Sequence, residues 1–212
     1  MNLSRVLTGL LAAPAAIAAL DLANPQWSWV EVPASNFVGG RSGWLLSLAA
    51  IGAGLASAAM IGPIGARSGG RRAVRWLLGV WATGMIIAGM VPADPPERWD
   101  DRSAADTVHG IAALTAFLVL PIAATLLTRA WWRDPPWRRW RALLAVTAAA
   151  TVAGYAAFLV ALVDVMGGPE LGIGPYATLV GLLERTMLWS YVGWLACAAV
   201  AASRIAPATR AG

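Results

Sequence analysis

Residues 108–141 read VHGIAALTAFLVLPIAATLLTRAWWRDPPWRRWR. The first 21 of them, Val108 to Thr128, hold one ionisable side chain, His109. The character then changes at once. Arg129, Arg133, Arg138, Arg139 and Arg141 follow within 13 residues, interleaved with Trp131, Trp132, Trp137 and Trp140. A bilayer hydrocarbon core about 30 Å thick is crossed by a helix of roughly 17–25 apolar residues. A run of that length, apolar all round with no polar stripe, reads as a helix embedded in lipid. The Arg–Trp segment reads as its anchor at the membrane–water interface.

Working outward, the same unit recurs in both directions. Spans are expected at about Val6–Leu22, Trp44–Ile64, Trp76–Met90, Val108–Thr128, Ala142–Val163 and Leu182–Ala202, the short third one extending towards Pro92. The predicted fold is all-α, a polytopic membrane six-helix bundle forming a single transmembrane domain over residues 1–212. Composition agrees: 58% of residues are hydrophobic and 13% charged, where globular domains carry roughly a quarter charged residues. The net charge of +5 does not indicate nucleic acid, because the basic residues alternate with apolar runs instead of forming one patch. Small residues at Gly52, Gly54, Ala56, Ser57 and Ala59, and at Gly79, Thr83 and Gly84, predict close helix–helix approach. Pro14 and Pro121 are expected to bend their spans.

Charge fixes the orientation. Arg5, Arg67, Arg71, Arg72, Arg75, Arg129, Arg133, Arg138, Arg139, Arg141, Arg204 and Arg210 fall on one side, accompanied by a single acid, Asp134. The other side has Arg41, Arg98, Arg102 and Arg185 with ten of the 11 acids. The positive-inside rule places the Arg-rich side, and both termini, in the cytoplasm. The expected location is the cell membrane, multi-pass. Residues 1–23 also carry marks of a secretory leader, with Arg5 as a basic flank and small residues near Ala18 and Ala19. They are read here as a retained first span.

Ionisable residues within or beside the spans cluster at the outer end. Asp21 closes the first span, Asp94 follows the third, Asp106 and His109 open the fourth, Asp164 closes the fifth, and Glu184 with Arg185 opens the sixth. Charge at membrane depth is costly and normally faces a bundle interior or a wet cavity, so this end is the candidate site. Asp106 and His109 are three apart, share a helix face, and are expected to hydrogen-bond, giving a proton relay. Glu184 and Arg185 point about 100° apart and each needs a partner on another helix. Asp94, Asp106 or Asp164 would suit Arg185. The candidate catalytic residues are therefore Asp106, His109, Glu184 and Asp94, with Trp44, Trp99, Tyr155, Phe158, Arg185, Trp189 and Tyr191 as candidate substrate-binding residues. The bland alternative is that the ion pairs pin helices together. Trp76, Trp131, Trp132, Trp137 and Trp140 read as belt residues of the Arg-rich side, and Trp27, Trp29, Trp44, Trp99, Trp189 and Trp194 lie towards the outer half. His109 is the sole His and Cys197 the sole Cys, which excludes a multi-His site, a Cys cluster and an internal disulfide. No phosphate-cradling Gly motif is present, and no metal or cofactor is expected.

Three segments together carry a family resemblance: Ser35-Asn36-Phe37-Val38-Gly39-Gly40-Arg41-Ser42-Gly43-Trp44-Leu45; Val91-Pro92-Ala93-Asp94 with Thr107-Val108-His109-Gly110; and Gly181-Leu182-Leu183-Glu184-Arg185. The pattern resembles the six-span bacterial and archaeal membrane proteins grouped as domain of unknown function 998. It departs at Arg41-Ser42, where an aromatic residue commonly precedes the Gly-Trp pair. The resemblance covers essentially the whole chain and supports topology and site placement without naming a reaction.

Three functions follow from the pattern. One is an intramembrane enzyme on a lipid-like or isoprenoid substrate, most specifically an acid-initiated terpene cyclase in which Asp106 or Glu184 protonates an alkene or epoxide. Aromatic faces would then stabilise the cation. The second is a non-enzymatic assembly, sensor or envelope protein held by structural ion pairs. The third is a small proton-coupled transporter, disfavoured because the span midplanes lack ionisable groups and no inverted repeat with broken helices is seen. The implied partner is the lipid bilayer. No nucleic acid is implied, and the sequence assigns no oligomeric state.

Overall fold

The computed structural model describes residues 2–67, 71–98, 101–169 and 171–205. Its six long helices are α1 (Leu3–Ala23), α2 (Trp44–Ala66), α3 (Arg71–Met90), α4 (Ala104–Trp132), α5 (Arg141–Val165) and α6 (Val180–Arg204). Among the described residues, these six are long and apolar enough to cross a membrane. The chain is a multi-pass helical membrane protein.

The helices outrun the apolar spans. α4 begins at Ala104, where Ser103 caps it by accepting from the Asp106 amide at 3.1 Å, and it ends only at Trp132 in the Arg–Trp segment. α3 begins five residues before the expected span, at Arg71. Helix start signals and basic anchors lie outside the hydrocarbon, so hydropathy alone misses them. Helices continue through Pro14, Pro63 and Pro121.

Neighbours in sequence are neighbours in space, and α1 also packs on α6, closing the six helices into a ring. α6 reaches inward to touch α2 and α4 as well. Its inward face is fully buried at Met187, Tyr191, Trp194 and Leu195. Lipid supplies no hydrophobic drive between helices, so close packing and interhelical hydrogen bonds hold the ring. Gly54 lies against the Ala82 carbonyl of α3, and Gly84 against the Ala112 carbonyl and Ala116 of α4. Gly79 and Ala59 instead face outward. Three bonds tie helices through the core: Tyr191 Oη donates to the Phe117 carbonyl at 2.6 Å, Trp81 Nε1 to Ser57 Oγ at 3.0 Å, and Trp194 Nε1 to Thr128 Oγ1 at 3.1 Å. Such bonds contribute about 0.6 kcal/mol each in bilayers.

The tryptophan assignments need correction. Trp76 and Trp132 are exposed, as belt residues should be, but Trp131 and Trp137 are buried. They stack at 4.1 Å, and Trp194 lies parallel to Trp131 at 6.0 Å on its way through the core. Trp194 therefore belongs to the Arg-rich half. The indole of Trp137 donates to the Arg67 carbonyl at 3.1 Å, so the stack plugs the Arg-rich end of the bundle and is not a lipid anchor.

Candidate functional site

The acid-bearing end is organised by the first long connection, residues 24–43, which folds back over the bundle. Asn24 clamps its base. This fully buried side chain donates to the Leu20 and Arg41 carbonyls at 2.9 and 3.1 Å and accepts from the Arg41 amide at 2.6 Å. Within the connection a short 3-10 helix, Ala34–Gly39, buries Ala34, Asn36 and Phe37. Ser42 takes the left-handed backbone at φ 60 before Gly43, where a Cβ would stand 1.9 Å from the Val38 carbonyl.

The Gly181–Arg185 segment of α6 receives this connection. Gly181 lets the Val32 backbone approach, for a Cβ there would lie 2.4 Å from the Val32 carbonyl oxygen. The Leu182 amide donates to the Val30 carbonyl at 2.9 Å. Glu184 and Arg185, adjacent and pointing apart, then grip from two sides. The Glu184 carboxylate accepts a short bond from the Ala34 amide. Arg185 donates to both Asp21 oxygens at 2.6 and 3.1 Å, to the Val32 carbonyl at 2.9 Å and to the Gly181 carbonyl at 3.0 Å. Its guanidinium also sits 5.0 Å from the Phe37 ring centre. The expected partners Asp94, Asp106 and Asp164 are thus replaced by Asp21, because α1 adjoins α6 in the ring.

The expected Asp106–His109 bond is also replaced. Asp106 Oδ1 accepts from the Asp94 amide at 2.9 Å, and Asp106 Oδ2 lies 3.9 Å from Arg102. Asp94 accepts from the Ser103 amide and hydroxyl at 2.6 and 3.0 Å, and its carbonyl accepts from Asn36 at 2.6 Å. The Ser103 amide, against the opposing effect of burial, holds the Asp94 carboxyl below the usual range, helped by the Ser103 hydroxyl and Arg98. Both carboxylates are therefore spent on joining the 91–103 connection to the start of α4. His109 turns instead to α3, where Nδ1 meets the Ala88 and Val91 carbonyls at 2.9 and 2.8 Å. Two carbonyl acceptors require a proton on Nδ1, and Nε2 is the ring nitrogen not engaged by these carbonyls. Asp164 is bound locally, accepting from the Leu171 amide at 2.9 Å.

His109 and Glu184 line two adjoining cavities, of about 130 and 60 Å³. The larger lies among α4, α5 and α6, walled by Phe117, Phe158 and Leu162 and reached by Asp106 and Arg102. Leu114 of α4 and Met166 at the end of α5, both exposed, are among its lining residues. The smaller extends towards α2 and α3, past Leu46 and Met85. Of the sequence candidates, Asp106, His109, Glu184 and Phe158 meet here. Trp44 and Trp189 face outward, 62% and 56% exposed. Tyr191 backs Phe117 from behind. Tyr155, Asp94 and Arg185 line neither cavity. Trp99 lies outside the described residues. Sequence reading missed Asn24, Asn36, Ser103 and Phe117. The Ser103-x-x-Asp106 capping pattern was a usable signal for one of them.

No curated protein and no solved structure matches the chain. A family model described as Protein of unknown function (DUF998) matches residues 7–201. That range begins inside α1, ends inside α6 and takes in every side chain of the site just described, so the chain belongs to the DUF998 family.

Proposed function

We propose that this protein is an intramembrane enzyme that moves a proton to and from a lipid-like substrate, with Glu184 as donor and His109 Nε2 as acceptor. The carrying observation is that these two side chains share the walls of a cavity that is also lined by the exposed Leu114 of α4 and Met166 at the end of α5. A substrate dissolved in the bilayer would enter beside these two exposed side chains without crossing water. Asp106, which lines the larger cavity, is the second donor candidate; like Glu184 it already accepts from a backbone amide. His109 is oriented as catalytic imidazoles are, with Nδ1–H on carbonyls and Nε2 remaining to accept a proton. In the cell membrane, the acid-bearing end faces outward and the Arg-rich end the cytoplasm.

The most specific form of this reading is isoprenoid cyclisation. A cavity of about 150 Å³ takes a benzene-sized molecule, and the adjoining volumes of about 130 and 60 Å³ here are together large enough for one six-membered ring, the remaining chain lying in lipid. The Glu184 proton adds to a terminal alkene, a carbon–carbon bond closes the ring, and His109 removes a proton from the resulting cation. The product is an isomer and no other reactant is consumed. The Phe117 and Phe158 faces stand where the cation forms. A second reading, a non-enzymatic protein, is favoured by the number of charged groups already committed to holding connections: Asp21, Asp94, Asp106, Asp164 and Arg185.

Purified protein in nanodiscs, incubated with farnesylated and geranylgeranylated substrates and followed by mass and NMR, separates the two. Glu184→Gln keeps an acceptor for the Ala34 amide, and His109→Asn keeps a donor near Nδ1, so both should fold. An isomeric cyclic product, lost in both variants, is the expected result. No turnover, or turnover that survives both substitutions, would sink the enzyme reading.

A further inference from the structure

At the opposite, Arg-rich end, α4 and α5 part again. A crevice of about 470 Å³ runs between them, with Arg129, Trp132 and Arg133 at its polar end and Thr125, Ala148 and Ala149 along its length. No carboxylate lines it. Among the described residues neither Arg129 nor Arg133 makes an ion pair within 4 Å. Beside the crevice, the Arg141 guanidinium lies 5.9 Å from the Trp132 ring centre, and its buried Nε has no acceptor among the described residues. From Trp132, the last residue of α4, to Thr125 is about 10 Å of helical rise, most of one leaflet of a hydrocarbon core about 30 Å thick.

From this geometry we infer that the α4–α5 crevice binds one anionic phospholipid. Its phosphate pairs with Arg129 and Arg133, its glycerol region lies against Trp132, and one acyl chain follows the alanine-lined wall into the same leaflet. Unpaired guanidinium groups favour phosphate because they offer forked, charge-assisted donors. Basic pockets between helices at a membrane interface are a recurrent way of holding acidic headgroups. The small side chains of α5 supply the concavity that a generic basic belt lacks. This site is independent of the Glu184–His109 cavity, at the other end of the same helix pair.

Arg138 and Arg139 provide the internal control. They are exposed at the same end but do not line the crevice. Native mass spectrometry of the full chain in detergent would be run with phosphatidylglycerol, phosphatidylcholine and inorganic phosphate. Each interfacial arginine contributes about a fivefold affinity for acidic lipid. Arg129→Ala with Arg133→Ala should therefore weaken phosphatidylglycerol binding about 25-fold, by the same arithmetic, while Arg138→Ala with Arg139→Ala changes it little. Ala149→Phe, which fills the crevice without altering charge, should weaken it too, and phosphatidylcholine should bind poorly to the unaltered chain. All of these variants lie at exposed positions and should keep the unfolding midpoint. Equal losses from the two arginine pairs would show diffuse attraction and overturn the site. Equal binding of phosphatidylcholine would overturn it as well, as would displacement of lipid by equimolar inorganic phosphate.

Discussion

Replacing Asp21 by Asn tests the junction on which the acid-bearing end is built. Arg185 is 7% exposed and Asp21 20%, and two of the four Arg185 hydrogen bonds go to that carboxylate. Bonds to charged groups contribute about 1.5–3 kcal/mol each, and breaking a buried pair from one side costs about 3–5 kcal/mol. Asn returns one acceptor oxygen and the pair is partly solvated, so the expected loss is about 2–3 kcal/mol. For a chain of this size that corresponds to a fall of about 4–12 °C in the unfolding midpoint. Equilibrium unfolding in mixed micelles would measure it, with limited proteolysis of residues 24–43 reporting early release of the connection. The control is the same substitution made on Arg185→Met, where the partner is absent and Asp21→Asn should cost less than about 0.5 kcal/mol. An equal cost in both backgrounds, or a cost below that value in the parent, would refute the clamp.

Two further predictions follow from the same region. Gly181→Ala places a Cβ 2.4 Å from the Val32 carbonyl and 2.8 Å from the Trp29 carbonyl, both backbone. It should destabilise by about 1–3 kcal/mol as an overpacked site does, whereas Gly79→Ala, with nothing within 4 Å, should be neutral or stabilising by up to about 1 kcal/mol. Thermal midpoints of the two variants compare them, and a similar response from both would contradict the close approach at Gly181. The Asp94 carboxyl has its pKa lowered in the fold by the Ser103 amide. Its stabilising contribution is complete above the unfolded value of about 3.9 and is lost as pH falls through the lower folded value. The parent should therefore lose stability below about pH 4 by a component absent from Asp94→Asn. Parallel acid limbs in the two proteins would show that the Ser103 contacts carry no such linkage.

The spans were legible because lipid demands an uninterrupted apolar run, and every expected run contains the middle of a real helix. Their ends were less legible, since Ser103 and the Arg–Trp segments extend helices into the interface where hydropathy falls. Grouping of Asp106, His109 and Glu184 at one end followed from topology alone. Their partners did not. Helical spacing pairs Asp106 with His109, but a first-turn carboxylate meets the unbonded amides of a connection before it meets its own helix, and Asp94 supplied one. Arg185 was matched to acids on spans three to five, because ring closure between α1 and α6 leaves no trace in local pattern. The buried asparagines Asn24 and Asn36 were passed over because polar residues in a connection read as solvated, whereas this connection is part of the core.

The docking of that connection on α6 also has a consequence for biogenesis. Ala34 and Glu184 are 150 residues apart, and ribosomes add about 5–20 residues per second. The connection therefore leaves the translocation machinery about 8–30 s before its receiving surface has been made. Phe37 and Val30, buried in the finished molecule, have no α6 to cover them during that interval. A chain halted before Gly181 would keep displaying them beside the membrane. Membrane proteases would thus have a simple mark by which an unfinished molecule differs from a finished one.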